Sequence, residues 1–275
     1  MSRLDKEAAG AKDLGVDEAP HYAFPHAAEE ESRRLELFER RLDPRTIRRL
    51  ERLGIPPGSN CLEIGGGRGS IARWLAERVG PDGHVTATDL QLGFLEAIDA
   101  TNVEVLRHDV RSDTFPERSF DLVHARAVLM HIGDDLEILL KMVSWLAPNG
   151  WLLLEEPDFG MWLADADPVW ATHPEAWQRA FPSGSLSRGR SLLRQIHELS
   201  LVDIGADAEV DIIEPGTPLA EFYRLSMRAI GPASVEAGAL TTREAEALID
   251  RPAQPDFLGC GFVYIGVWGR RPTDR

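Results

Sequence analysis

The chain has 275 residues, 43% of them hydrophobic and 27% charged, with a formal net charge of -15. This balance excludes a disordered, collagen-like or coiled-coil chain, and apolar runs of only a few residues fall far short of the roughly 20 that cross a bilayer. An acidic surface repels phosphate backbones and anionic lipid, so the expected partner is a small molecule, with no nucleic acid and no membrane.

No charged-then-apolar leader opens the chain, and its two cysteines, Cys61 and Cys260, stand at no metal spacing. Both thiols are expected to be buried, in a cytoplasmic protein. Residues 1–27 lack clean periodicity, although Pro20 to His26 gathers His21, Tyr22, Phe24 and His26. From Glu29, Leu35, Phe38 and Leu42 recur at helical spacing; Asp43-Pro44 then supplies an N-cap and first-turn proline for a second helix through Ile47, Leu50 and Leu53, stopped at Gly54. The apolar positions Leu35, Phe38, Ile47 and Leu50 serve either the chain's own core or a homodimer.

Beyond Pro56-Pro57-Gly58, short apolar runs alternate with helical patterns. Strands are predicted at Cys61–Ile64, His84–Thr88, Val103–Leu106, Phe120–His124 and Trp151–Leu154. Helices are predicted through Ile71, Leu75 and Val79, over Leu92–Ile98, and from Leu136 to Leu146, the last opened by a capping box of Asp134 and Glu137. This alternation implies an α/β fold with a doubly wound, mostly parallel sheet. Residues 158–187 break the rhythm with Trp162, Trp170 and Trp177, either as lid or as core. A helix over Arg190–Leu199, a strand over Val202–Ile213 interrupted near Gly205, a helical stretch over Thr217–Ile249 and a β tail over Phe257–Trp268 follow, so the sheet gains a late antiparallel strand. Residues 1–57 are thus expected to form an arm and helical cap on a domain of residues 58–275, with lid insertions at about 158–200 and 214–255.

The run Glu63-Ile64-Gly65-Gly66-Gly67-Arg68-Gly69-Ser70 lies between a strand and a helix, where glycines let the backbone approach a ligand over the helix N-terminus. Asp89, at the end of the next strand, is placed to accept hydrogen bonds from both hydroxyls of a ribose. A dinucleotide fingerprint needs a glycine at the sixth position from Gly65, and Ser70 stands there; the spacing is G-x-G-x-G.

With Glu63 two residues ahead of the first glycine, this pattern resembles motif I of the class I S-adenosylmethionine-dependent methyltransferases. The resemblance extends over residues 58–157 and, more loosely, the final strands. It is nearest to the small-molecule enzymes of bacterial secondary metabolism, such as antibiotic biosynthesis. It implies a Rossmann-like sheet and S-adenosylmethionine as cofactor. Glu63, Gly65, Gly67, Gly69, Asp89 and Leu90 would hold the cofactor's ribose and loop side, His108, Asp109 and Val110 its adenine, and Arg126 its methionine part.

A sulfonium methyl is already primed for in-line attack, so the protein has to align an acceptor, exclude water and, where needed, take a proton. Tyr22 and His131 are the catalytic candidates; His21, His173, Glu156 and Asp158 are further proton acceptors. Glu155-Glu156-Pro157-Asp158 can line the pocket, and no metal is expected. The aromatic lid favours an aromatic or heteroaromatic acceptor methylated on oxygen, nitrogen or carbon. The same resemblance leaves open an enzyme that binds the cofactor and catalyses a non-methylating rearrangement or cyclisation.

Overall fold

The computed structural model describes residues 29–133, 135–165, 167–170 and 185–273. Helix α1 (Glu29–Leu53) opens on three glutamates and carries Arg52 in its last turn, matching the helix dipole at both ends. It runs through Pro44, where the sequence predicts a second helix. An interior proline removes one backbone hydrogen bond and costs about 3 kcal/mol, and tertiary contacts outweigh that loss. Asp43 caps nothing; its carboxylate accepts the Ser70 hydroxyl at 3.0 Å and pairs with Arg126 at 2.9 Å. Leu35 and Leu50 are buried, and Phe38 and Ile47 pack against two different core clusters, so these four positions serve the chain's own core.

Among the described residues seven strands form one sheet: β1 (Asn60–Ile64), β2 (His84–Asp89), β3 (Val103–Arg107), β4 (Phe120–Arg126), β5 (Leu146–Asp158), β6 (Val202–Ile213) and β7 (Gly259–Arg270). Their order is β3-β2-β1-β4-β5-β7-β6. The first five pair in parallel, and β7 runs antiparallel to both β5 and β6. The register of β6 shifts between Val202 and Gly205, as its sequence predicts.

Successive strand residues point to opposite faces, so Leu122 packs with α2 (Ser70–Val79) while Val123 packs with α3 (Leu136–Trp145). The cap of α3 is Asp135, whose carboxylate accepts the Glu137 N–H at 2.8 Å; Asp134 lies outside the described residues. Of the helix predicted over Leu92–Ile98, a 3-10 turn at Leu95–Ala97 forms.

After β5 come the short α4 (Gly160–Leu163), α5 (Arg188–Gln195), α6 (Pro218–Glu236) and α7 (Thr242–Asp250). Trp162 and Trp170 are wholly buried and meet edge to face at 5.5 Å, so both belong to the core; Trp177 lies outside the described residues. The stretch predicted as one helical region divides at Gly238, with φ of +65°, and at the capping box of Thr241 and Glu244. Thr241→Ala removes that cap and is expected to cost about 1 kcal/mol, lowering the melting temperature by roughly 2–4 °C in a thermal scan.

Candidate active site

An open α/β sheet leaves a crevice at the carboxyl ends of adjacent strands whose connections depart in opposite directions. Here β1 and β4 are those neighbours, and a cavity of about 550 Å³ opens over their ends. Its floor is the loop from β1 to α2. Gly65 and Gly67 hold φ values of +68° and +56°, which L side chains resist, and so the loop curls under the cavity. The Gly66 N–H donates to the Thr88 carbonyl at 2.9 Å, tying the loop to β2. One oxygen of Asp89 accepts the Gly67 N–H at 3.1 Å and the other accepts the Gln91 N–H at 3.2 Å, which orients this carboxylate at the cavity edge.

The structure brings Glu63, Gly65, Gly67, Asp89, Leu90, His108, Asp109, Val110, Arg126 and His131 together on this one cavity. Gly69 is not part of the lining. It is the N-cap of α2, packed close against Ile98, and its left-handed backbone serves the turn itself. Tyr22, His21 and His173 lie outside the described residues.

At the β3 end, the Asp109 carboxylate is turned to Arg111, accepting its backbone N–H at 3.0 Å and its Nε at 2.9 Å. Those hydrogen bonds hold the carboxyl below the usual carboxylate range. His108, 7% exposed, stacks on Phe115 at 4.5 Å, and both its ring nitrogens are buried without a hydrogen-bond partner among the described residues. Burial lowers its pKa, so the ring is neutral. Orphaned nitrogens in the wall, an oriented Asp89 and a volume typical of cofactor pockets together fit an adenosine-bearing ligand.

The other half of the cavity is walled by Phe38, Phe159, Phe222, Phe262 and Tyr264, which α1, the turn from β5 to α4, α6 and β7 contribute. These positions are far apart in sequence; each falls in a stretch that the sequence marks as helix, lid or β tail, but nothing local signals that they share one cavity. His131 sits in this half, its pKa lowered to about 4 by burial and by the nearby Arg34 charge, so it is a neutral, weak base. Of Glu155-Glu156-Pro157-Asp158, Pro157 alone lines the cavity. Glu156 accepts the backbone N–H groups of Val128, Leu129 and Met130 at 2.8–3.0 Å, and Asp158 pairs with Arg190 at 2.6 Å, which commits both carboxylates to the scaffold.

Beneath the glycine loop lies a chain of buried charges that the sequence did not reveal. His124, wholly buried on β4, faces Glu63 through Nδ1 at 2.5 Å and Glu155 through Nε2 at 3.0 Å. Glu155 is also held by Arg49 and by the Thr46 hydroxyl at 2.6 Å, and Arg49 continues to Asp207 on β6. Burial alone would lower the His124 pKa, but the two carboxylates raise it to about 9, while burial of Glu155 is overcome by His124, Arg49 and Arg126, which hold it at about 2. The imidazole is therefore a cation shared by two anions.

Comparison with known proteins agrees with this geometry. A family profile described as "Methyltransferase domain" matches residues 38–205, more than half of the chain. A ubiquinone/menaquinone biosynthesis C-methyltransferase of Ectopseudomonas mendocina is 33% identical over 115 residues, covering 39% of this chain and 45% of that protein. Phosphoethanolamine N-methyltransferase 1 of Zea mays is 28% identical over 113 residues, covering 39% of this chain and 22% of that protein. The match thus spans less than half the length of either relative. Phosphoethanolamine N-methyltransferase 2 of Haemonchus contortus, solved with phosphomonomethylethanolamine and S-adenosylhomocysteine, shares the fold at a TM-score of 0.55 and 19% identity, over 82% of this chain and 51% of that one. On the family match and the architecture around its glycine loop, this chain belongs to the class I S-adenosylmethionine-dependent methyltransferase family, whose cofactor is S-adenosylmethionine.

Proposed function

We propose that the protein moves a methyl group to oxygen, nitrogen or carbon of a small aromatic or heteroaromatic natural-product acceptor. The observation that carries this reading is the continuity of one cavity, which runs from Asp89 and the glycine loop to a half walled by five aromatic side chains. When bound, the cofactor supplies an activated sulfonium methyl for in-line displacement. Asp89 receives the ribose hydroxyls, and the glycine loop carries the cofactor's central part. With Asp109 held by Arg111, recognition of the nucleobase falls to His108 and Val110. The aromatic walls exclude water and orient a flat acceptor against the methyl.

His131 acts by accepting a hydrogen bond from the acceptor's O–H or N–H. A ring whose pKa lies near 4 orients such a group better than it removes its proton at neutral pH. Cys61 is buried as expected whereas Cys260 is partly exposed, and the two free thiols suit a reducing cytoplasm.

Calorimetric titration with S-adenosylmethionine and S-adenosylhomocysteine tests the cofactor half. Micromolar binding is expected in the native chain. Asp89→Ala is expected to weaken it about 10- to 100-fold, as the loss of charge-assisted hydrogen bonds requires. Absence of binding by both compounds would refute the reading. A panel of indoles, phenols and amines, scored by the mass of one added methyl, tests the acceptor half; turnover of aliphatic acceptors alone would refute the aromatic assignment.

A further inference from the structure

The described residues include two tyrosines, Tyr223 and Tyr264, whose hydroxyls are used differently. Tyr223 serves the scaffold: its hydroxyl donates to Asp211 Oδ2 at 3.1 Å and accepts the Phe262 N–H at 2.6 Å. Tyr264 walls the aromatic half of the cavity, its ring edge to face with Phe38 at 6.2 Å. The Tyr264 hydroxyl makes no hydrogen bond to any described residue, and it is not among the polar atoms sealed in the core. It therefore stays reachable from the cavity, open to a ligand. Burial outweighs the nearby charges of Arg41, Arg34 and Arg126 and pushes its pKa up, so at neutral pH the group is a hydrogen-bond donor.

Charge on the cavity side of this half has one sign. Arg34 and Arg126 line the cavity and lie over the rings of Phe222 and Phe38, at 5.9 and 5.3 Å from the ring centres. The acids that balance them, Glu31 at 2.7 Å and Asp43 at 2.9 Å, stand outside the lining. The carboxylates that do line the cavity belong to its cofactor half: Glu63, Asp89 and Asp109 follow the strand ends, and Glu39 faces Arg68 of the glycine loop at 3.4 Å. An ammonium group in the aromatic half would thus meet guanidinium groups and no carboxylate. An aromatic amine fares little better, because its nitrogen lone pair is delocalised into the ring and accepts hydrogen bonds poorly. A phenolic oxygen suits both polar groups of this half, accepting from Tyr264 while its own O–H donates to the neutral His131.

Resting on the aromatic-acceptor reading above, we infer that Tyr264 is a specificity-determining residue whose hydroxyl donates a hydrogen bond to a phenolic oxygen, which makes the acceptor a phenol and not an amine. A site built to hydrogen-bond one particular oxygen rejects analogues that lack it.

The test uses 2-naphthol and 2-naphthylamine, which differ only in the polar group, titrated calorimetrically into the full chain loaded with S-adenosylhomocysteine. The native chain is expected to bind the naphthol about tenfold more tightly. Tyr264→Phe is expected to erase that preference, weakening the naphthol about tenfold while leaving the naphthylamine and S-adenosylhomocysteine within about twofold of their native affinities. A merely structural role would weaken all three ligands together, and that result would overturn the inference. So would a naphthol affinity unchanged in Tyr264→Phe, or a native preference for the naphthylamine, either of which leaves the aromatic reading intact. Should neither aromatic bind a chain that does bind S-adenosylhomocysteine, the aromatic reading falls and the inference with it. Failure of the native chain to bind S-adenosylhomocysteine overturns the cofactor reading and everything resting on it. Should Tyr264→Phe not fold, the ratio of the two affinities in the native chain decides alone, and equal affinities overturn the inference.

Discussion

Replacing His124 with leucine is expected to destabilise the protein by about 3–5 kcal/mol at pH 7, because it leaves Glu63 and Glu155 buried with no cation between them. In a chain of this size that corresponds to a fall of roughly 10 °C in melting temperature. The pH dependence gives the effect a signature. The imidazole pKa is raised from 6.5 to about 9, so its contribution is complete below about pH 6.5 and is lost as pH rises through about 9. The gap between native and variant melting temperatures should therefore be full at and below about pH 6.5 and narrow by pH 10, where the native ring is also uncharged. Glu155 behaves in the opposite sense. Held at about 2 against an ordinary 4.5, it contributes stability above about pH 4.5 that is lost as pH falls through about 2. Thermal scans from pH 5 to pH 10 decide the matter: a gap of under 2 °C at pH 7, or one constant to pH 10, contradicts a charged imidazole at this position.

Gly65→Ala is expected to weaken S-adenosylmethionine binding by about 30-fold or more, with a smaller loss of stability. Two costs add at this residue. A side chain at φ of +68° costs about 1–2 kcal/mol, and the new Cβ would stand 2.3 Å from Val128 Cγ2, an overlap that costs about 1–3 kcal/mol to relieve. Val128 cannot simply retreat, because its N–H is held by Glu156 at 3.0 Å at the head of a turn whose next two N–H groups bind the same carboxylate. The loop must shift instead, and the cofactor's floor shifts with it. Gly67→Ala provides the contrast: its φ is +56° but nothing lies within 4 Å of the added Cβ, so only the backbone cost applies and affinity should fall by about 5- to 30-fold. Adding Val128→Ala to Gly65→Ala should recover the steric part of the loss and not the backbone part. Titration calorimetry on the three variants separates the terms, and a Gly65→Ala affinity equal to that of Gly67→Ala would show that Val128 does not limit the loop.

The contrast between these two residues also marks what could be read from local sequence. The strand-to-helix alternation from Cys61 to Leu154 follows from apolar periods of two and 3.6, which neighbouring residues determine. The glycine loop and Asp89 were legible for the same reason: each sits at the end of a strand whose direction the alternation sets. Pro44 misled because helix-breaking is a local cost of about 3 kcal/mol, whereas the contacts holding α1 as one helix through it come from Ser70, Arg126 and the acids of β5 and β6.

Those contacts were half visible. Arg41, Arg45, Arg49 and Arg52 recur at helical spacing, and Asp207, Glu209 and Asp211 alternate along β6, so each element carries a charged stripe. In the structure Arg45 pairs with Glu209 and Asp211 and Arg49 with Asp207, which makes the helix-to-sheet interface ionic where periodicity predicts an apolar seam. The amino-acid sequence by itself thus determined the sheet's alternation, the glycine turn and the place of Asp89 at the end of β2, all products of short-range backbone and periodicity constraints. Tertiary structure decided which stripe met which, that His124 would lie between Glu63 and Glu155, and that Phe38, Phe222 and Tyr264 would share one wall, because a charge or a ring acquires its partner only when distant segments are packed at contact distance.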